Sequence, residues 1–254
     1  MLTVGIIPAR MNSSRFPGKP LEKICGMPMI GHCYFRTSIA LGPENTYVAT
    51  CDNEIASYIN SIGGKVIMTN VNHTRATTRT SEAQNIIEKK LGKKIDIVIM
   101  VQGDEPLILP KTISKMVSKF KDQSVNIANI MSTILTKESF EDVNNVKVVV
   151  DKDSNALYFS REPIPSPWNG WRDIPKFLQT GIIAFRGEVL AAFNSLEETS
   201  LEKVESVDMN RVLETGGSIK MVHTSSNTLG VDTVEELRFA EKLIESDDTT
   251  KQYL

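Results

Sequence analysis

Three cations lie close together just after the first apolar stretch of the sequence. Arg10, Arg15 and Lys19 belong to the segment IIPARMNSSRFPGKPL, in which prolines and a glycine surround Lys19. These residues disfavour a helix and predict a stiff loop. Fixed cations suit a polyphosphate, because they neutralise its charge without reorganising when that charge shifts. Small residues such as Ala9 would let this ligand approach the backbone, whereas the simpler interpretation is a solvated basic turn.

Carboxylates follow a second apolar stretch. Asp104 and Glu105 belong to the segment VQGDEP, directly after the strand-like run of residues 95–101. Ligands of open parallel sheets bind beyond the carboxyl ends of the strands, which would place Asp104 opposite the cationic loop. A carboxylate there can hold Mg²⁺ against phosphate oxygens. The alternative is an acidic turn that caps the next helix. Asp232 in GVDT precedes the last predicted helix, where an aspartate is often only structural.

The cationic loop matches neither of the two common phosphate-binding motifs. Gly18 and Lys19 are followed by Pro20, whereas a Walker A loop has Ser or Thr at that position. The segment also lacks the G-x-G-x-x-G pattern, which disfavours a dinucleotide-dependent dehydrogenase.

The elements that position these residues alternate through the first half of the chain. Apolar strand-like runs are separated by segments of helical period, which predicts parallel βαβ units with both sheet faces covered. Asp52 is a candidate N-cap of the second helix. The second half has short polar connections and predicts antiparallel strands, followed by a helix over about 201–214. Thr233 and Glu236 have capping-box spacing at the last helix.

Composition limits the classes of function. The chain of 254 residues has 41% hydrophobic and 24% charged residues, which is ordinary for a globular protein with a full core. A net charge of −2 argues against nucleic acid as the main partner. We expect no signal peptide and no membrane span. Three cysteines without C-x-x-C spacing are typical of reduced thiols in a cytoplasm, and three scattered histidines do not suggest a zinc site.

Several segments together resemble the CMP-Kdo synthetases (3-deoxy-manno-octulosonate cytidylyltransferases), which activate an eight-carbon acid sugar with CTP. The resemblance runs nearly end to end, in the order and spacing of that family. Its segments are IIPARMNSSRFPGKPL, GMPMIGHCYFR, YVATCDNEIASYINSIGGKVIMT, VQGDEP, YFSREPIP, RVLETGGSIKMV and GVDTVEEL.

The resemblance implies a fold, a cofactor and roles for individual residues. It implies an α/β fold similar to the nucleotide-diphospho-sugar transferases: an open, mostly parallel nucleotide-binding sheet flanked by helices, with a β-rich antiparallel insertion. One nucleotidyltransferase domain would span residues 1–254, with a dimerisation and sugar-binding part at roughly 125–215. Asp104 and Asp232 would jointly ligate Mg²⁺ and, with Lys19, form the catalytic group. The implied nucleotide contacts are Ala9, Arg10, Arg15, Lys19, Thr77, Arg79 and Gln102.

The sequence departs from the family around the bases and the sugar. The family's Pro-Ser-Gly-Thr-Asp/Glu-Arg loop, which reads cytosine, is here Thr74 to Arg79, with Ala76 in place of glycine. If that glycine needs positive φ, either Ala76 would be strained by about 1 kcal/mol or the loop would take another shape. Gln179 stands where the family has His, and Ile183 where it has Tyr.

The retained and altered residues together define the expected sugar site. Arg161 is the candidate for the sugar carboxylate, because a guanidinium matches it bidentately; a surface salt bridge is the alternative. Gln102 and Gln179 are further candidates. Glu205 or Asp208 would favour an added ammonium, such as that of 8-amino-3,8-dideoxy-manno-octulosonate.

The resulting functional prediction is a Mg²⁺-dependent, cytoplasmic homodimeric enzyme of lipopolysaccharide or surface-glycan synthesis. It would couple CTP to the anomeric hydroxyl of Kdo or its 8-amino analogue, releasing pyrophosphate, with no nucleic-acid partner. The alternatives are a nucleotidyltransferase for another sugar acid or another nucleoside triphosphate, and a non-catalytic protein that binds sugar nucleotides.

Overall fold

The computed structural model of the chain describes residues 1–12, 16–171, 174–224 and 230–254. The strands in these residues are β1 (Thr3–Pro8), β2 (Lys23–Ile24), β3 (Met27–Pro28), β4 (Thr46–Thr50), β5 (Lys65–Met68), β6 (Ile97–Val101), β7 (Ile127–Thr133), β8 (Lys147–Val150), β9 (Ala156–Ser160), β10 (Phe177–Arg186) and β11 (Lys220–Thr224). The helices are α1 (Met29–Leu41), α2 (Asn53–Ser61), α3 (Ala76–Leu91), α4 (Pro110–Lys119), α5 (Lys137–Glu141), α6 (Gly187–Ser195), α7 (Ser200–Glu205), α8 (Met209–Glu214) and α9 (Val234–Glu245).

One large sheet organises the described chain. Its strand order is β11-β7-β10-β6-β1-β4-β5, and β8 and β9 are attached beside β10. β1 pairs in parallel with β4 and β6, β4 with β5, and β7 with β11. β10 runs antiparallel to its neighbours β6, β7 and β8, and β8 is antiparallel to β9. The predicted mostly parallel sheet with antiparallel additions is therefore confirmed.

Both faces of the sheet are buried. Ile6 and Val98 enter the apolar core on one face, whereas Ile7, Ile97 and Ile99 enter the core on the other. These strands carry apolar residues at successive positions because helices cover both sides of the sheet. The same arrangement brings the loops that follow β1 and β6 to one edge of the sheet.

Two details of the sequence prediction are wrong. The single helix expected over 201–214 is two helices, because Ser206 has a left-handed conformation (φ 52°) and ends α7. Asp52 precedes α2, but its side chain does not cap that helix. Its carboxylate instead accepts a hydrogen bond from the Met11 N–H at 2.8 Å and so holds the first loop. The predicted capping box of Thr233 and Glu236 at α9 is confirmed.

Two features bear on the expected environment of the chain. No helix in the described ranges has both the length and the apolar character that crossing a membrane would require. Cys25, Cys33 and Cys51 are all free thiols.

Candidate active site

The loops after β1 and β6 touch at Gly103. Its N–H donates to the Pro8 carbonyl at 3.2 Å. A Cβ at position 103 would lie 3.1 Å from the Ala9 Cβ and 3.2 Å from that carbonyl oxygen, so a larger residue would force the loops apart. The glycine thus allows the close approach that places Asp104 beside the cationic loop.

A cation and two carboxylates meet at this point. The Nζ of Lys19 lies 2.7 Å from Oδ2 of Asp104 and 2.7 Å from Oδ1 of Asp232. The Val231 N–H donates to the Asp104 carbonyl at 2.9 Å, and Lys19 donates to the Val231 carbonyl at 3.0 Å. Glu236 accepts from the Asp232 N–H at 2.7 Å, which ties this loop to the start of α9. Backbone contacts therefore hold both carboxylates in place.

The electrostatics of this centre favour bound positive charge. Burial opposes the charge of Lys19, but the nearby carboxylates of Asp104 and Asp232 outweigh that effect and raise the pKa of the lysine. The ammonium stands between two carboxylate oxygens, as a metal ion would. No group of three or more His, Cys, Asp or Glu in the described ranges could hold a metal. Mg²⁺ is commonly held by one or two carboxylates together with substrate phosphates, so the two aspartates fit that ion.

A cavity of about 250 Å³ opens beside this centre. Ala9, Arg10 and Gln102 line it together with Arg79, all four being predicted nucleotide contacts. Arg79 is buried; its Nη1 donates to the Thr69 hydroxyl at 2.5 Å, and its Nη2 lacks a hydrogen-bond partner among the described residues. A buried guanidinium nitrogen without a partner is costly, which suits a ligand acceptor in the cavity. Arg15 lies outside the described residues.

The loop that departs from the family adopts an unstrained conformation. Ala76 is the first residue of α3, and the described non-glycine residues with positive φ are Cys25, Ser154 and Ser206. Ala76 therefore carries no strain of that kind, which leaves a different loop shape as the outcome if the family's glycine needs positive φ. Thr77, a predicted nucleotide contact, is buried outside this cavity and donates to Asp208 at 3.0 Å.

A second cavity of about 520 Å³ adjoins the first. The predicted sugar contacts Gln102, Arg161, Gln179 and Asp208 line it. Asp208 reaches it through the break between α7 and α8, and burial raises the pKa of its carboxyl although the Thr77 hydroxyl opposes the shift. The residues common to both cavities are Arg10, Thr74, Arg75, Ala76, Gln102, Asp104 and Asp232. The two aspartates thus stand where the two cavities meet.

Glu205, the remaining predicted sugar contact, is turned away from this cavity. Its carboxylate accepts hydrogen bonds from the Tyr158 hydroxyl at 2.9 Å, the Ser160 hydroxyl at 2.7 Å and the Arg161 N–H at 2.8 Å. Burial alone would raise the pKa of Glu205, but these donors outweigh it and lower the pKa. The Nε of Arg161 donates to the Glu205 carbonyl at 2.7 Å and its Nη1 to the Val143 carbonyl at 2.9 Å. Glu205 therefore fixes the backbone that carries Arg161.

Glu105, which follows Asp104 but was not among the predicted site residues, also lines the second cavity. It is buried at the wall of the second cavity, and its Oε1 accepts from the Gly181 N–H at 2.6 Å. Burial and the charge of Asp104 raise the pKa of Glu105 to about 8. Both effects favour the neutral form of this side chain, which would leave less negative charge in a cavity that already contains Asp104, Asp208 and Asp232. The Glu-Pro pair at the end of VQGDEP was the available sequence signal for a buried acid. An acid that only capped the next helix would face solvent, whereas Glu105 is buried.

Comparisons with known proteins show which family the chain resembles. The sequence profile of a family described as cytidylyltransferase matches residues 4–221. A 3-deoxy-manno-octulosonate cytidylyltransferase of Phocaeicola vulgatus is 39% identical over 252 residues, covering 96% of this chain and 98% of the relative. An 8-amino-3,8-dideoxy-manno-octulosonate cytidylyltransferase of Shewanella sp. (strain ANA-3) is 40% identical over 245 residues, covering 95% and 98%.

A solved structure is similar over the same length. It is a CMP:2-keto-3-deoxy-manno-octonic acid synthetase complexed with CTP, and it is 35% identical, with a TM-score of 0.86 over 96% of this chain and 99% of the other. The identity and coverage are high enough to assign the chain to a family. The chain belongs to the cytidylyltransferase family of nucleotidyltransferases and, within it, to the group that contains the CMP-Kdo synthetases.

Proposed function

We propose that the protein couples CTP to the anomeric hydroxyl of a Kdo-type acid sugar and releases pyrophosphate. The observation that carries this proposal is the junction of two cavities at Asp104 and Asp232. A nucleotide in the smaller cavity and a sugar in the larger one would meet at the two carboxylates. Relatives that cover nearly the whole chain include enzymes named for Kdo and for its 8-amino analogue, which supports the choice of substrates.

The reaction is an in-line displacement at the α-phosphorus of CTP. The anomeric oxygen forms a bond to that phosphorus, the bond to the bridging oxygen breaks, and pyrophosphate leaves with both electrons of that bond. The proton of the hydroxyl is released. Arg10 and Arg79 line the nucleotide cavity and would bind the nucleotide, so the chain contributes mainly positioning and charge.

Mg²⁺ is part of the proposal. Asp104 and Asp232 would hold the ion with phosphate oxygens, and it would supply charge stabilisation at the α-phosphate. Lys19 contacts both carboxylates, so it would lie close to the same phosphates and would stabilise the leaving pyrophosphate.

The acceptor could carry an amine. The larger cavity is lined by Asp208 as well as the two central aspartates, and Gln179 and Ile183 replace the His and Tyr of the family. An ammonium group would be stabilised by an acid that lines the cavity, so the 8-amino analogue of Kdo is the proposed acceptor. Equal or better turnover of Kdo would contradict this part of the proposal.

We further propose a cytoplasmic homodimer. Large apolar side chains are exposed within the predicted dimerisation part, among them Leu135 (67%), Leu157 (60%), Trp168 (89%) and Val204 (79%). Exposed apolar groups of this size favour association. Light scattering of the purified protein should give twice the chain mass, and a monomer at all concentrations would contradict the dimer. Fractionation of native cells should place the protein with cytoplasmic markers; recovery with membranes would contradict that location.

A substrate matrix tests the central proposal. The purified protein is incubated with Mg²⁺, each of the four common nucleoside triphosphates, and Kdo, 8-amino-Kdo or another sugar acid. Mass spectrometry should detect a CMP-sugar from CTP alone, with the 8-amino sugar preferred. Products from another triphosphate or only from another sugar acid would favour the first alternative. Nucleotide binding without any product would favour the non-catalytic alternative.

A further inference from the structure

An irregular segment of β10 forms part of the sugar cavity. Its pairing with β7 shifts register: Gln179 lies opposite Met131, but Ile183 lies opposite Asn129. Four residue steps on β10 therefore match two on β7, and residues 180–182 form a bulge. Gln179, Thr180 and Gly181 line the cavity. Bulges re-aim the side chains next to them, so the bulge determines how Gln179 faces a ligand.

A single buried amide on the neighbouring strand holds this bulge. Asn129 is fully buried in β7. Its Nδ2 donates to the carbonyls of Thr180 at 3.0 Å and Ile182 at 2.8 Å, with a longer contact to the Ile130 carbonyl at 3.3 Å. Its Oδ1 accepts a hydrogen bond from the Gln179 Nε2 at 2.7 Å. A polar side chain within an apolar strand thus satisfies both of its ends on β10.

These contacts fix the orientation of the Asn129 amide and, through it, that of the Gln179 amide. Backbone carbonyls only accept, so the nitrogen of Asn129 must face Thr180 and Ile182, and its oxygen must face Gln179. That oxygen also only accepts, so the nitrogen of Gln179 must face Asn129. The Oε1 of Gln179 is the end left for a ligand. The reverse orientation of either amide would bring two oxygens together.

We propose that Asn129 is a positioning residue for the acceptor sugar. It holds the amide of Gln179 so that the carbonyl oxygen accepts a hydrogen bond from a donor on the sugar, either a hydroxyl or an ammonium group. This inference deepens the proposed function, because it assumes that a sugar occupies the larger cavity.

The opposite side of the bulge is tied to the central carboxylates. Gly181 donates its N–H to Glu105, the residue after Asp104, at 2.6 Å. Gly181 also packs so closely on Gln102 that a Cβ there would lie 2.7 Å from the Gln102 Cδ. The distance from Gln179 to Asp104 is therefore set by short contacts on both sides of the bulge. Misplacement of Gln179 would affect binding of the sugar more than binding of the nucleotide.

The experiment compares Asn129→Asp, Gln179→Met and the double variant with the wild-type protein. Asn129→Asp keeps the size and Oδ1 but cannot donate to both bulge carbonyls, because an ionised carboxylate donates to neither and a protonated one to a single carbonyl. The KM for the acid sugar should rise about tenfold, which is the size of effect expected for one lost buried hydrogen bond. The KM for CTP should change less than about twofold. The double variant should resemble Gln179→Met alone, since Asn129 acts through Gln179.

A second readout does not depend on turnover. In the ligand-free protein, NMR should show slow solvent exchange of the Gln179 side-chain N–H, and Asn129→Asp or the milder Asn129→Ser should accelerate it. Fast exchange in the wild type would overturn the proposal that Asn129 positions the Gln179 amide. Equal KM changes for both substrates would overturn it as well, and so would effects that multiply in the double variant. If the wild type forms no CMP-sugar, the proposed function fails. The exchange rates would still decide whether Asn129 holds the Gln179 amide in place.

Discussion

The ammonium of Lys19 lies at the same distance, 2.7 Å, from a carboxylate oxygen of Asp104 and one of Asp232. The lysine is 85 residues away from the first aspartate along the chain and 213 from the second. Three loops are therefore joined by one cation at the edge of the sheet. This centre lies where the two cavities meet and is where we expect the α-phosphate of CTP.

The first prediction concerns the cation. In Lys19→Met the carboxylates of Asp104 and Asp232 would lose the ammonium that lies between them, so metal-free protein should lose about 2 kcal/mol of stability, or roughly 4–8 °C in Tm. Added Mg²⁺ should raise the Tm more in the variant than in the wild type, because the ion can replace the ammonium. Thermal unfolding with and without Mg²⁺ measures both effects. Lys251→Met, which removes an exposed ion pair with Asp248, is the control and should change neither.

The second prediction concerns Asp208 at the sugar cavity. Asp208→Asn removes a negative charge and should lower kcat/KM for 8-amino-Kdo about tenfold, the expected size for loss of a charge-assisted hydrogen bond. The value for Kdo should change much less, because a hydroxyl gains little from the charge. Steady-state kinetics with both sugars decides the matter, and equal losses would remove Asp208 from acceptor selection.

The third prediction is a pH dependence at Glu205. Its folded pKa lies below the ordinary value of about 4.3 for glutamate, so the unfolded chain binds more protons at acidic pH. The resulting stability is fully present above that ordinary value and is lost as the pH falls through the folded pKa. Glu205→Gln should cost about 2 kcal/mol at pH 7, and the difference should narrow below about pH 4. Denaturant unfolding at both pH values measures it; a constant difference would contradict the shift.

The fourth prediction concerns the C-terminal segment. Arg36 is fully buried in α1; its Nε donates to the Tyr253 hydroxyl at 2.9 Å, and its Nη2 donates to Thr250 at 2.8 Å and pairs with Asp247. Truncation after Ser246 would remove all three of these partners from the guanidinium, at a cost of about 3–5 kcal/mol.

Denaturant unfolding of the truncated chain provides the measurement. The double change, truncation with Arg36→Met, should recover part of the loss, because an apolar side chain leaves no unpaired charge. A truncation that changes stability no more than an exposed substitution such as Lys251→Met would contradict a structural role for the segment.

The proximity of the cationic loop to Asp104 could be predicted because its signals are local. The cationic loop and VQGDEP each follow an apolar strand, and the carboxyl ends of parallel strands share one edge. Gly103, between β6 and Asp104, allows the two loops to approach each other closely. The capping box at α9 is also local, since four consecutive residues contain all its donors and acceptors.

The acceptor half depends on contacts that no local pattern contains. The segment 201–214 has the apolar period of one continuous helix, and this period continues through Ser206. The left-handed residue that ends the helix is a serine rather than a glycine, so the sequence does not mark the break. The same holds for the first loop. Asp52 has the type and position of a helix cap, but its carboxylate accepts a hydrogen bond from a loop residue 41 positions away. Asn129 was visible only as one amide within an apolar strand, and its role required the register of β10.

The most direct test of the account is Mg²⁺-dependent pyrophosphate release by the wild type and by Asp104→Asn, with CTP and an acid sugar. The substitution keeps the shape but removes a charge that we expect to bind the ion. The account predicts release by the wild type that stops when Mg²⁺ is chelated, and a rate at least about 100-fold lower in Asp104→Asn. CTP binding should persist in the variant, which shows that its fold is intact. Substantial release by Asp104→Asn, or release that survives chelation, would contradict a metal-assisted centre at Asp104.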